Sequence, residues 1–248
     1  MKKLFRQAMP FVLILIGLSL ASCKSDNQGV LLRYNPPLGE PITFVTTMNQ
    51  SMDLFGQQMT TNMNMTMVMT ATEKTDSLIT TQARLDEITL TSDVMGQAIS
   101  FDSKHMEDAD PELASSFKDL LGKTFEIVND IYGKAVSMPE DFPNKDQGFM
   151  AIYPKEMIHE GSEWTVEADN EINDMKMHTV MTYTVKKITK EKTEIELVGK
   201  IKSEMAKGEI TGNMMINNQT GMPKTCELNM PLKVSGATIN QTVTMTTE

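Results

Sequence analysis

Four methionines at alternate positions, Met63, Met65, Met67 and Met69, are the side chains of this 248-residue chain best placed to act together. On an extended strand, residues two apart point the same way at a spacing of roughly 7 Å. Thioethers so arranged can offer soft sulfur to Cu(I), or they can wall an apolar pocket that refits to its contents, because Met is unbranched and polarisable. Met48, Met177 and Met181 extend the pattern, and the chain holds 23 Met in all. No histidine falls in register: His178 lies between Met177 and Met181 but on the other parity. Met205, Met214, Met215, Met222 and Met230 are spread over further segments. Dispersed Met suits core packing first, an apolar-ligand cavity second and copper last.

Other reactive groups are sparse. Cys226 sits on the apolar parity of its segment and reads as a small hydrophobe. His105, His159 and His178 form no close metal pair, and none stands beside a serine nucleophile motif. No glycine-rich phosphate loop follows a strand. The acidic run Glu107, Asp108, Asp110, Glu112 lacks the alternating spacing of a calcium loop. Asp86-Glu87 and Glu140-Asp141 read as solvated pairs. We therefore expect no catalytic residue, no metal and no cofactor. Trp164 reads as a core anchor near a turn or as the lining of a ligand mouth.

The elements that must hold these residues have a period of two. Phe44, Thr46, Met48, Gln50, Met52 and Leu54 alternate with more polar neighbours. Gly56-Gln57-Gln58 is expected to turn, and Met59 to Thr70 to form a half-buried strand. Glu73 to Ser77 predicts the next turn, and Leu78 to Leu90 the next strand. The same alternation returns over 194–202, 225–232 and 238–245. Asp110-Pro111-Glu112 gives a helix cap before the stripe Leu113, Phe117, Leu120 and Leu121. Thr124–Val128 and Ala135–Met138 flank a turn at 129–133. Phe142-Pro143 and Tyr153-Pro154 mark an irregular connection. The fold class is mainly β: a curved antiparallel sheet or open barrel with one short helix.

A weak internal duplication runs through this pattern. Gly39-Glu40-Pro41-Ile42-Thr43 resembles Gly161-Ser162-Glu163-Trp164-Thr165, and Glu73-Lys74-Thr75 matches Glu191-Lys192-Thr193. The Met ladder corresponds loosely to Met175, Met177 and Met181. Two similar meanders, 31–106 and 155–248, are then joined by 107–154 within one β domain spanning 31–248.

The first residues bear on location. Lys2, Lys3 and Arg6 precede the apolar run 11–20, which is too short to span a bilayer as a helix, and Leu20-Ala21-Ser22-Cys23 follows. This segment resembles a bacterial lipoprotein signal with its lipobox. The resemblance implies a signal peptide over 1–22, cleavage before Cys23, lipid on Cys23, and a flexible tether over 23–30. Two or more acyl chains make a durable membrane anchor. Asp is absent after Cys23; by analogy with the enterobacterial sorting rule, this favours the outer membrane, on its periplasmic or cell-surface face. Cleavage removes three basic residues and no acids, deepening a net charge of −10 that disfavours nucleic acid. Cys226 would then have no intrachain disulfide partner.

Together with the lipobox, Gly161 to Trp164 after Tyr153-Pro154, the 129–133 hairpin and the Met215–Pro223 hairpin resemble Bacteroidota envelope lipoproteins of a domain-of-unknown-function family. In architecture the layout also resembles periplasmic lipoprotein-carrier and lipid-binding half-barrels. Asp76-Ser77-Leu78 resembles the acceptor for O-linked glycans in Bacteroidota. The expected role is a non-catalytic, lipid-anchored envelope protein that binds or carries an apolar small molecule or lipid. Its candidate face comprises Met48, Met63, Met65, Met67, Met69, Met177, Met181 and Trp164. The alternatives are an adaptor that holds an envelope protein and, less favoured, a copper protein.

Overall fold

The computed structural model describes residues 29–54, 56–94, 96–142, 151–172, 175–204, 206–234 and 237–248. The leader 1–22, Cys23 and all of the tether before Gly29 lie outside the described residues, as do Pro143 and Met205.

Strands β1 (Pro41–Leu54), β2 (Gln57–Lys74), β3 (Leu78–Val94), β4 (Gln97–Asp102), β5 (Thr124–Asp130) and β6 (Ala135–Ser137) make the first half. The second half is β7 (Glu163–Ile172), β8 (Met175–Ile188), β9 (Lys192–Ser203), β10 (Ala206–Asn217), β11 (Pro223–Val234) and β12 (Ala237–Thr247). They form one unclosed antiparallel sheet of 12 strands in the order β6-β5-β3-β2-β1-β12-β11-β10-β9-β8-β7, with β4 on the outer half of β3. Each half is a meander, and the two meet where β1 pairs with β12. The mainly β, antiparallel expectation holds, and the open sheet fits either form anticipated for it.

Several boundaries differ from the sequence expectation. Gln57 and Gln58 belong to β2, leaving Gly56 at a positive φ of 84° to make the turn. Glu73 and Lys74 likewise remain in β2. Strand β3 continues past Leu90 to Val94 and pairs there with β4, a strand the sequence pattern did not reveal. The helix α1 (Pro111–Lys118) forms as expected, with Asp110 Oδ1 accepting the backbone N–H groups of Glu112 and Leu113 at 2.9 and 3.3 Å. That cap accounts for two members of the acidic run. Phe117 leaves the helix to pack on Phe101 of β4, ring centroids 4.9 Å apart.

The two halves repeat the same local geometry. Gly39 and Gly161 both have positive φ, and each donates its N–H across to the next strand but one turn, to Ala71 O and Val185 O, at 2.8 Å. Both acceptors sit at a register irregularity just before a turn. In those turns Thr75 Oγ1 accepts from Leu78 N, and Thr189 Oγ1 accepts from Lys192 N. The structural match of Thr75 is thus Thr189, four residues before the Thr193 suggested by the Glu-Lys-Thr similarity.

Nine strand intervals separate β5 from β7 along the sheet, ~43 Å if it were flat at about 4.8 Å each. Yet the adjacent residues Ile152 and Tyr153 touch both sides. Tyr153 N donates to Tyr132 O beside β5, and Trp164 Nε1 in β7 donates to Ile152 O, both at 2.8 Å. The sheet must therefore roll until its edges approach. This segment and residues 30–35 form a strap, tied together by the Val30–Ile158 bridge, that fills one end of the roll. Leu32, Tyr34, Phe142, Ala151, Tyr153 and Ile158 are all at most 3% exposed and share a core with Phe44, Met67, Met69, Ile195 and Ile216. Tyr153 Oη donates to Gly221 O at 2.7 Å, and a Cβ on Gly221 would collide with the carbonyl of Arg33, so glycine lets the strap lie close.

Candidate functional site

Directly paired residues in an antiparallel sheet face the same side, so the register lists what shares the inner face. One transverse row runs Leu90, Met63, Met48, Val243 and Leu228. It continues through Gly212, Leu197, Tyr183 and Trp164. The next row toward the strap runs Ile88, Met65, Thr46, Met245 and Cys226, then Met214, Ile195 and Val185. Away from the strap come Ser92, Thr61, Gln50, Gln241 and Met230, with Ile210, Gly199, Met181 and Val166 on the far strands. The row after that is apolar again: Val94, Met59, Met52, Ile239 and Leu232, then Gly208 and Ile201.

Exposure changes along this face. On β2, Met59, Met63 and Met65 are half-buried, whereas Met67 and Met69 are 7% and 5% exposed and belong to the sealed core. Met48, Met177 and Met181 are half-buried as well. The candidates thus divide: Met67 and Met69 hold the closed end, and Met48, Met63 and Met65 line the open part of the inner face. Trp164 shares the row of Met48 and Met63 but is stacked on Tyr183 at 5.0 Å and tied to the strap through its indole N–H. His178 faces away from the Met residues and pairs with Asp169 at 2.8 Å. The alternation over 194–202, 225–232 and 238–245 already put Ile201, Leu228 and Ile239 on the apolar side of their strands, although none was among the candidate ligand residues; Ile210 was not anticipated.

Burial favours the neutral form of two groups on this face, Tyr183 and Cys226, and of two in the strap, Tyr34 and Tyr153. Burial pushes Tyr183 up to about 12 and Cys226 up to about 11, and it raises Tyr34 and Tyr153 as well. A thiol so shifted is no thiolate nucleophile. For each group the unfolded chain gives up its proton first as pH rises, so stability is complete below about pH 9 and is then lost. The slope is up to about 1.4 kcal/mol per pH unit for each group caught between its two pKa values. We expect the urea midpoint to hold from pH 7 to 8.5 and to fall steeply by pH 10.5; a midpoint unchanged at pH 10.5 would contradict buried phenols.

Elsewhere, His105, Glu107 and Asp108 form an exposed cluster whose ligand atoms lie within 4.8 Å of one another. A hollow of about 710 Å³ lies at the tips of β1, β2, β11 and β12, lined largely by the outward-facing Ser51, Asp53, Gln58, Lys233, Thr238 and Asn240. No described helix is long and apolar enough to cross a membrane.

An open antiparallel sheet with an apolar inner face, sealed at one end by a strap, is the class of architecture these features define. Residues 139–223 match a family of unknown function (DUF6263), a stretch that covers the 151–158 limb of the strap and the β7–β10 region. No curated protein matches the chain. Among solved structures, one of lipid–protein interactions in lipovitellin is similar, with a TM-score of 0.57 at 8% identity, over 86% of this chain and 25% of that one. This chain thus spans a quarter of the lipovitellin chain, and the likeness is one of fold. DynF from the dynemicin biosynthesis pathway of Micromonospora chersina aligns at a TM-score of 0.24, 7% identity, over 90% of this chain and 86% of that chain.

Proposed function

We propose that this protein is a non-catalytic binder of an apolar ligand, seated on the inner face between the strap and the open end. The observation that carries this reading is the half-buried row Met63, Met48, Val243 and Leu228 above a fully packed floor. Apolar side chains left part-exposed on an inward face can gain roughly 25 cal/mol per Å² when a ligand covers them, and Met can adjust to its shape. The fold likeness to a protein described for its lipid–protein interactions supports a lipid as the ligand class. The lipobox supports anchoring through lipid on Cys23 in the cell envelope, with the outer membrane as its site. Binding is tested with diphenylhexatriene, a fluorescent hydrocarbon: saturable uptake by the native protein is expected, and fluorescence that only rises linearly with probe would refute the site.

The outward hollow of about 710 Å³ favours a second reading, in which a partner protein docks on polar residues at the tips of β1, β2, β11 and β12. In-cell crosslinking from Lys233 should then recover one reproducible envelope protein; recovery of phospholipid alone would count against it.

A further inference from the structure

The inner face is not uniformly apolar. Ser92, Thr61, Gln50 and Gln241 are consecutive cross-strand neighbours and form a belt of hydroxyls and carboxamides over four adjacent strands. They are neutral, and no Asp, Glu, Lys or Arg occupies this row or the rows on either side. Solvation at the open end does not account for the belt, because Val94, Met59, Met52 and Ile239 return the face to apolar character farther out.

Hydrogen bonding within the belt is incomplete. Thr61 and Ser92 share a bond at 2.9 Å, and Ser92 also donates to Thr60 O at 3.1 Å. Gln241 Nε2 donates to the Met48 sulfur, a weak acceptor, at 2.8 Å. The half-buried Gln50 carboxamide makes no hydrogen bond to the described residues. A polar group set between apolar rows costs free energy when something covers it, unless the cover supplies a partner.

We propose that the belt selects an uncharged, hydrogen-bonding lipid, whose ester, amide or hydroxyl group meets Gln50 and Gln241 while its chain lies along Met48, Met63 and Leu228. The proposal rests on the apolar-ligand reading above. A carboxylate or phosphate would find no cation here and would lose its hydration, so charged amphiphiles are disfavoured relative to neutral ones of equal chain length. Specificity then comes from amides that are left unpaired when the wrong ligand binds.

The test uses the full chain and competition against bound diphenylhexatriene by 1-oleoylglycerol, oleate and hexadecane. With the wild type, 1-oleoylglycerol should displace the probe at least tenfold more effectively than either competitor. In the Gln50→Leu/Gln241→Leu variant, that advantage over hexadecane should vanish while diphenylhexatriene still binds saturably and at least as tightly as to the wild type, because no unpaired amide then opposes a hydrocarbon. Probe binding also reports that the variant is folded; should it bind none, Gln50→Leu alone is measured and must cut the advantage at least threefold. Saturable probe binding with the same ranking in the variants, or oleate as the best competitor, overturns the belt alone. Absence of probe binding to the wild type overturns the apolar site and the belt with it.

Discussion

Tyr153→Ala is expected to destabilise the fold by about 4 kcal/mol, because removing a fully buried aromatic leaves a cavity the surroundings fill only partly. Tyr153 is 3% exposed, and its hydroxyl is the partner of Gly221 O. Tyr153→Phe removes only that bond and should cost about 1–2 kcal/mol. Urea unfolding of both variants checks the pair. The effect should exceed that of a typical strand substitution, since Tyr153 holds the strap to the turn after β10 while its backbone reaches Tyr132 beside β5. A loss under 1 kcal/mol for Tyr153→Ala would mean that the strap lies on the roll without sealing it.

The second large effect concerns binding rather than stability. Met63→Glu places a carboxylate in the middle of the half-buried row, opposite Met48 and Leu90. The side chain is open enough for the charge to stay hydrated in the empty protein, so stability should change by less than about 1.5 kcal/mol. A bound apolar ligand would strip that water away, and diphenylhexatriene affinity should fall at least tenfold, equivalent to about 1.4 kcal/mol. Met67→Glu should do the reverse. Met67 is 7% exposed within the core, so unfolding rather than selective loss of binding is expected there. Equal behaviour of the two variants would erase the distinction between an open face and a packed floor.

Legibility in the sequence followed local periodicity. Strict alternation over 59–70 placed Met63, Met65, Met67 and Met69 on one face, and the Asp110-Pro111 cap marked α1; both are local signals. The division of the Met ladder was not legible, because only the fold brings Met67 and Met69, past a register shift after Thr66, into one core with the strap residues Leu32, Tyr34 and Tyr153. Tyr34 and Tyr153 lie in segments with no period, and their partners, Thr81 and Gly221, are 47 and 68 residues away. Strand β4 was missed because Thr91, Ser92 and Asp93 look like a turn, although they pair with Ser100, Ile99 and Ala98. The duplication was visible in Gly39 and Gly161, but its register could be set only by the turn hydrogen bonds of Thr75 and Thr189. The polar belt escaped notice because Gln50 and Gln241 are 191 positions apart and become neighbours only where β1 pairs with β12.

Native mass spectrometry of the full-length protein, purified gently from the cells that make it, tests the central claim most directly. The account predicts a stoichiometric adduct with the mass of a neutral lipid or other apolar small molecule, present in the wild type and lost in Met63→Glu. Wild-type protein that flies without any such adduct under conditions that preserve its fold, or an adduct retained undiminished by Met63→Glu, would contradict it.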